Sequence, residues 1–329
     1  MMDFRESFHD AVTDGSSAFA DLIRTSCLDS MKSQIPGGDK TGLWEKLTPD
    51  YNPGCKRVII SDDYYPALAS DKSRLETNKI SRITESGIEL QNGQHNEHDL
   101  IVLATGFRTV EFLYPINVTG TQNRSLGQIW DKGASALYGT TVPSLPNFGM
   151  FYGPNTNLGH NSIILMIEAQ SRYLSTLVSA VLDARNRGDR IGIMPKPTRN
   201  EEFNDKIQEV LMNSSFADPK CGSWYKNAEG RITNNWSGTV VEYQEMLSKV
   251  DWEDFETTTG GGGVGLKSKG ECASRVVFGS GKQETKIGRV REETLVSNTV
   301  LGLGVLSAVA AGAAWVYRGK MPKRLGLRT

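Results

Sequence analysis

Apolar positions follow two rhythms along the chain. From Arg57 to Phe107 they come in short β-type runs: RVIIS at Arg57–Ser61, a looser KISRITE at Lys79–Glu85, GIELQNGQ at Gly87–Gln94 and DLIVLATGF at Asp99–Phe107. GIEL leads into Asn92-Gly93, the dipeptide that most strongly favours a tight hairpin turn. DLIVL is apolar without alternation, which predicts a parallel strand covered on both faces and halted at Ala-Thr-Gly. From Ser162 to Arg187 the rhythm changes. Ile163, Ile167, Leu174, Leu177, Val181 and Leu182 recur near helical spacing, and Gly188 stands as terminator. A second helix is expected from the capping box Thr198-x-x-Glu201, carrying Phe203, Ile207 and Leu211 inward. Strands and helices mixed in this order predict an α/β body over about 51–256, with a lead-in over 1–50.

Beyond that body the pattern is lost. Residues 257–293 include four consecutive glycines, Gly260–Gly263, and read as a flexible linker. Thr294–Tyr317 is then a run of 24 residues without a charge. As a helix it would span roughly 36 Å, enough for a hydrocarbon core of about 30 Å. Trp315 and Tyr317 sit where interfacial aromatics belong, and the 318–329 tail holds Arg318, Lys320, Lys323, Arg324 and Arg328 with no acid. This predicts a single-pass C-terminal membrane anchor. Gly304, Ala308 and Gly312 form a small-residue row through which two such helices could dimerise. The N-terminal stretch MMDFRESFHDAVTDGSS lacks the apolar core of a signal peptide, so the folded part is expected in the cytosol.

Composition narrows the partners. The 329 residues carry a formal net charge of -1 and 23% charged positions, which gives no electrostatic footprint for nucleic acid. Cys27, Cys55, Cys221 and Cys272 lie far apart with no CxxC pair, so they predict free thiols rather than a disulfide framework or a metal site. Gly260, Gly262 and Gly265 spell a GxGxxG, and Gly302-x-Gly304 makes a second near-match. Neither lies between a strand and a helix of a dinucleotide fold, so neither meets the physical requirement of a phosphate loop.

CKRVIISDDYYPAL, GIELQNGQ, DLIVLATGF, SLGQIWDKGASALYG, PNFGMFYGPNTNLGHNS and GSWYKN together resemble, in order and spacing, a Baeyer–Villiger monooxygenase of the cyclohexanone-monooxygenase-like branch. The resemblance covers about Tyr51 to Glu256. It implies a partial two-dinucleotide-binding-domain flavoprotein fold with FAD and NADP as cofactors. The expected reaction is insertion of one oxygen atom from O2 into a ketone.

Residue by residue, the resemblance makes Arg57 the guanidinium that steadies negative charge developing during oxygen transfer. A permanently charged group with several directed donors suits that task. It places Lys56 and Trp224 against NADP, the indole offering an apolar face and one N–H. Thr105, Gly106 and Phe107 are expected beside FAD, where Gly106 lets backbone approach closely. Gly153, Pro154 and Asn155 are expected there too, in a loop that ends at a helix N-terminus. Structural readings stand beside these: Lys56-Arg57 as a solvated strand end, Trp224 as a packed aromatic, the loop as a helix cap. His160 receives no catalytic role. Members of the family carry a GxGxxG loop for FAD and a second for NADPH; neither is found here, so the chain is expected to begin inside the NADPH domain. Two other readings remain: a non-catalytic membrane-tethered module, and a flavin monooxygenase oxidising nitrogen or sulfur centres.

Overall fold

Two long helices and a set of short antiparallel strand pairs organise the protein. The structure is a computed structural model, and it describes residues 9, 13–59, 61–159, 161–259 and 284–289. Helix α1 is Ala18–Gln34, started by Ser17, whose hydroxyl accepts the Ala20 N–H. Helix α2 is Ile163–Asn186 and agrees with the predicted limits, ending at Arg187 with Gly188 in the left-handed region at φ 89°. Its inward side buries Met166, Ala169, Gln170, Tyr173 and Leu177. Helix α3, Pro197–Leu211, turns Ile207 and Leu211 into the core and leaves Phe203 half-buried. The expected capping box does not form. Pro197 takes the first helical position and places Thr198 inside the helix, because a proline there loses no hydrogen bond. A true capping box starts α4, Val240–Met246, between Thr239 and Glu242.

The strands are β1 Ile80–Ile83, β2 Gly87–Leu90, β3 His95–Glu97, β4 Ile191–Pro195, β5 Lys249–Asp251, β6 Phe255–Thr259 and β7 Glu284–Lys286. They make an antiparallel β1-β2-β3 meander and two antiparallel pairs, β4-β6 and β5-β7. The β2–β3 hairpin turns at Asn92-Gly93 as expected, with Gly93 at φ 83° and the Gln94 N–H on the Asn92 side-chain oxygen.

Several expectations are corrected. RVIIS, apart from Ile60, which is not among the described residues, and DLIVLATGF form no strand. Ile59 is 83% exposed, Leu100 77% and Phe107 94%. A strand needs a neighbour to take its backbone hydrogen bonds, and no described strand pairs with either run. No parallel strand pair occurs among the described residues, so the parallel sheet read from apolar continuity is not seen there. Cys55 and Cys221 are not free thiols but a disulfide, with Cα atoms 6.3 Å apart across a separation of 166. On chain-entropy grounds a link of that span adds about 5 kcal/mol. Cys27 is free. Parts of the predicted linker lie in strands: Thr257–Thr259 in β6 and Glu284–Lys286 in β7.

No helix among the described residues is long and apolar enough to cross a membrane. Thr294–Tyr317, the small-residue row, the basic tail and the glycine-rich motifs lie outside the described residues, as does His160.

Two clusters form the core around the site. Leu126, Ala136, Val142, Leu145 and Met150 make one; Ile207, Leu211, Phe216, Tyr225 and Ile232 make the other. Edge-to-face rings border the second: Tyr138 lies 4.9 Å from Phe203 and 5.9 Å from Tyr173, and Trp236 lies 5.2 Å from Tyr243.

Candidate active site

The loop Tyr152–Gly159 is fixed from below. The Asn155 amide donates to the carbonyls of Ile232 and Asn235 at 2.8 and 2.9 Å. Backbone bonds from Asn155 to Thr233, from Asn157 to Asn234 and from Trp236 back to Asn157 complete the seam. Asn155 sits at φ 58° and Tyr152 at φ 54°; asparagine tolerates this left-handed region better than most residues. Gly153 is tightly packed: a Cβ there would meet the Gly139 carbonyl oxygen and the Met150 sulfur, both at 2.4 Å. Gly153, Pro154 and Asn155 are all buried, so their side-chain positions serve the framework of the loop.

A buried polar chain holds the loop to the rest of the molecule. The Tyr152 N–H donates to Gln170, whose amide donates to the Tyr243 hydroxyl; that hydroxyl donates to the Tyr138 carbonyl. The Tyr138 hydroxyl donates in turn to Asp254 at 2.6 Å, and Arg199 donates to the other oxygen of that carboxylate at 2.7 Å. Burial pushes the Tyr138 hydroxyl well above its usual ionisation range, and Asp254 pushes it further; burial alone does the same for Tyr243. Each buried hydroxyl therefore stays a neutral donor.

Arg57 meets this loop at its far end. Its guanidinium donates to the Leu158 carbonyl at 3.2 Å. The Tyr225 hydroxyl lies beside both Arg57 and the Asn157 amide, and the Tyr152 hydroxyl donates to Asn157 at 2.7 Å. Burial raises the pKa of both phenols, and the nearby Arg57 charge opposes it. Lys56 lies over the Tyr51 ring at 4.9 Å. Trp224 is 45% exposed, with its ring 4.3 Å from that of Tyr225. A cavity of about 380 Å³ opens beside Lys56 and Arg57, walled by Arg24, Cys27, Tyr51, Tyr64 and Tyr65.

The Ala-Thr-Gly segment reaches the same place through Thr109, whose hydroxyl donates to the Trp224 carbonyl at 2.8 Å. The Asn234 amide donates to the Thr109 carbonyl at 3.3 Å. Thr105, Gly106 and Phe107 are exposed. Gly106 has φ 85°, and a Cβ there would meet nothing within 4 Å. Its backbone thus presents an open approach. The N-terminus of α2, just past the loop, has no side-chain cap bond from Ser162. An exposed guanidinium fork, an open glycine backbone and an uncapped helix start fit the ring end of a flavin. Among the described residues no glycine-rich loop joins a strand to a helix to hold a pyrophosphate.

The structure thus joins Arg57, the 152–158 loop and the Trp224 segment through direct contacts. Gly106 lies three residues from the anchored Thr109. Sequence reading missed Tyr152, Asn157, Tyr225, Thr109 and the disulfide. The available signal was adjacency: Tyr225 follows Trp224, Cys55 precedes Lys56, and Cys221 stands three residues ahead of Trp224.

No protein-family model matches the chain. It is 49% identical over 314 residues to the FAD-binding monooxygenase ktnD of Aspergillus niger, covering 95% of this chain and 48% of that protein. It is 36% identical over 214 residues to a Baeyer–Villiger monooxygenase of Streptomyces coelicolor, covering 65% and 41%. Among solved structures, an oxidised steroid monooxygenase bound to NADP superposes with a TM-score of 0.63 at 24% identity, over 79% of this chain and 48% of that one. A cyclohexanone monooxygenase from Rhodococcus sp. Phi1 bound to NADP+ gives 0.62 at 23%, over 76% and 47%. The fold is that of the Baeyer–Villiger monooxygenase flavoproteins, in part. The chain is a homologue of the FAD-binding and Baeyer–Villiger monooxygenases, which are oxidoreductases, over the portion it spans. That portion is about half the length of the curated relatives.

Proposed function

We propose that this chain forms the Arg57-centred part of an FAD- and NADP-dependent monooxygenase site that inserts oxygen beside a ketone carbonyl. One observation carries the reading: the Arg57 guanidinium is fixed at the mouth of the Tyr152–Gly159 loop, on the Leu158 carbonyl and beside Tyr225. When bound, reduced flavin supplies activated oxygen and NADPH supplies the electrons. Arg57 stays charged and directs N–H donors at negative charge that develops as the ketone carbon becomes tetrahedral. The Leu158 bond holds one nitrogen of the fork and leaves the others to the reacting groups. Trp224 offers its exposed face to the nicotinamide ribose, and Lys56 its ammonium to an NADP phosphate. The open backbone at Gly106 and the start of α2 receive the flavin ring.

Flavin content and NADP+ affinity of the purified chain, alone and mixed with the complementary part of the Aspergillus relative, test this reading. Retained flavin, and ketone oxidation lost in Arg57→Ala, is the expected result. A second reading, a non-catalytic module, is favoured by the exposure of Leu100, Val102, Leu103 and Phe107 beside Gly106. A protein that melts cooperatively yet holds no flavin in either setting supports it. Membrane attachment through Thr294–Tyr317 is likewise a proposal, supported by the charge-free run, and flotation with lipid vesicles tests it.

A further inference from the structure

Residues 51–59 belong to no helix or strand, yet they carry the charged pair of the proposed site. Besides the Arg57–Leu158 bond and a bond from Arg24 to the Asn52 side chain, the segment Asp218–Tyr225 holds them at three points in sequence order. The Asn52 N–H donates to the Asp218 carboxylate at 3.0 Å, Cys55 is bonded to Cys221, and Arg57 lies beside Tyr225. The central tie is the covalent one, and both its half-cystines are buried. Only Lys56 separates Cys55 from Arg57, so the backbone at Arg57 can stray at most about 7 Å from the anchored residue. On the other strand of the seam, Cys221 stands three residues ahead of Trp224.

We propose that the Cys55–Cys221 disulfide is a positioning clamp for Arg57, so that the guanidinium is presented when the bond is closed and released when it is reduced. The inference rests on the functional reading above for its consequence, though not for its geometry. Reduction by a dithiol adds two electrons and two protons to the cystine. The S–S bond breaks, two thiols form, and the dithiol closes to its own disulfide. Burial of both sulfurs means that the seam must part for a thiolate to reach them, so the clamp resists casual reduction. With the bond open, the seam keeps only the Asn52–Asp218 bond and the Arg57 contacts, none of them covalent. The two segments then meet across a long loop without being pre-organised.

Three measurements on the full chain decide the matter. Non-reducing peptide mapping is expected to show the Cys55 and Cys221 peptides linked. Limited trypsin digestion is expected to cut after Arg57 at least about tenfold faster once the protein is reduced, the scale set by lost pre-organisation. Cutting after Arg172, inside α2, should stay unchanged. NADP+ should bind about tenfold more weakly to the reduced form, because Lys56 and Trp224 each stand within three residues of a half-cystine. The double variant Cys55→Ser, Cys221→Ser should behave as reduced protein without any reductant. Absence of the linked peptide overturns the clamp. So does an Arg57 cleavage rate that ignores redox state, or Arg172 becoming as labile as Arg57, which would mean a merely structural staple. If neither form binds NADP+, the functional reading fails by itself, and the cleavage ratio still decides the clamp.

Discussion

The Arg57 guanidinium donates to the carbonyl oxygen of Leu158, 101 positions along the chain, at 3.2 Å. This bond spends one donor of the fork on the framework and fixes the direction of the rest. Replacing Arg57 by Ala is expected to cost oxygen transfer about 10²–10³-fold, the effect of removing one pre-organised charge-stabilising donor. Lysine should rescue only part of the loss, because a point charge cannot hold Leu158 and a substrate together. Stability should change by less than about 1.5 kcal/mol. Turnover in the reconstituted enzyme and a urea melt check both numbers.

Asn155→Ala should behave in the opposite way. It strips the donor from the Ile232 and Asn235 carbonyls in a buried seam. A loss of about 1–3 kcal/mol is expected, the cost of leaving the Asn235 carbonyl without this donor, since Ile232 still accepts from Gln208 at 2.8 Å. Equilibrium unfolding in urea measures it with no ligand present.

Asp254 is buried and accepts from both Tyr138 and Arg199. Asp254→Ala leaves the buried Tyr138 phenol without its acceptor, while the half-exposed Arg199 keeps Glu202, so a loss of about 1–3 kcal/mol is expected. Asp254→Asn keeps an acceptor for Tyr138 and should lose less. Melting temperatures of the two variants give the order.

Alkaline pH should unfold the protein through its buried tyrosines. Tyr138, Tyr173 and Tyr243 are all raised above the ordinary 10.0, burial being the first cause in each. A raised folded pKa gives stability that is complete below the unfolded value and lost as pH climbs past it. Unfolding free energy should therefore hold to about pH 10 and then fall by up to about 1.4 kcal/mol per pH unit for each tyrosine. A stability profile flat above pH 10 would contradict this.

Gly106→Ala separates backbone strain from ligand approach. Position 106 has φ 85° and open space around a new Cβ. The chain alone should lose at most about 1–2 kcal/mol, the left-handed penalty. Flavin retention should suffer more, since the methyl would occupy the approach. Unchanged flavin affinity would remove this turn from the site.

The clearest sequence signals were local. Ile163–Asn186 reads as a helix because its apolar spacing and Gly188 suffice, and Asn92-Gly93 reads as a turn because glycine accepts the left-handed region. Thr198 misled because Pro197, one residue earlier, claims the helix start. DLIVLATGF misled for a different reason. Apolar continuity says what a segment prefers to bury, whereas a strand exists only where another offers its hydrogen bonds.

By itself, the sequence determined α2 and α3, though neither α1 nor α4, together with the hairpin, the family resemblance and the residue types at each candidate position. Only the tertiary structure decided that Cys55 finds Cys221, that Arg57 is held by Leu158 and Tyr225, and that Asn155 faces inward. Those contacts join residues about a hundred or more positions apart in the first two cases and 77–80 in the third. Local propensity acts over a few neighbours, so it carries no information about which distant segment will supply a partner. That choice is made when the whole chain folds and its buried polar groups must each be satisfied.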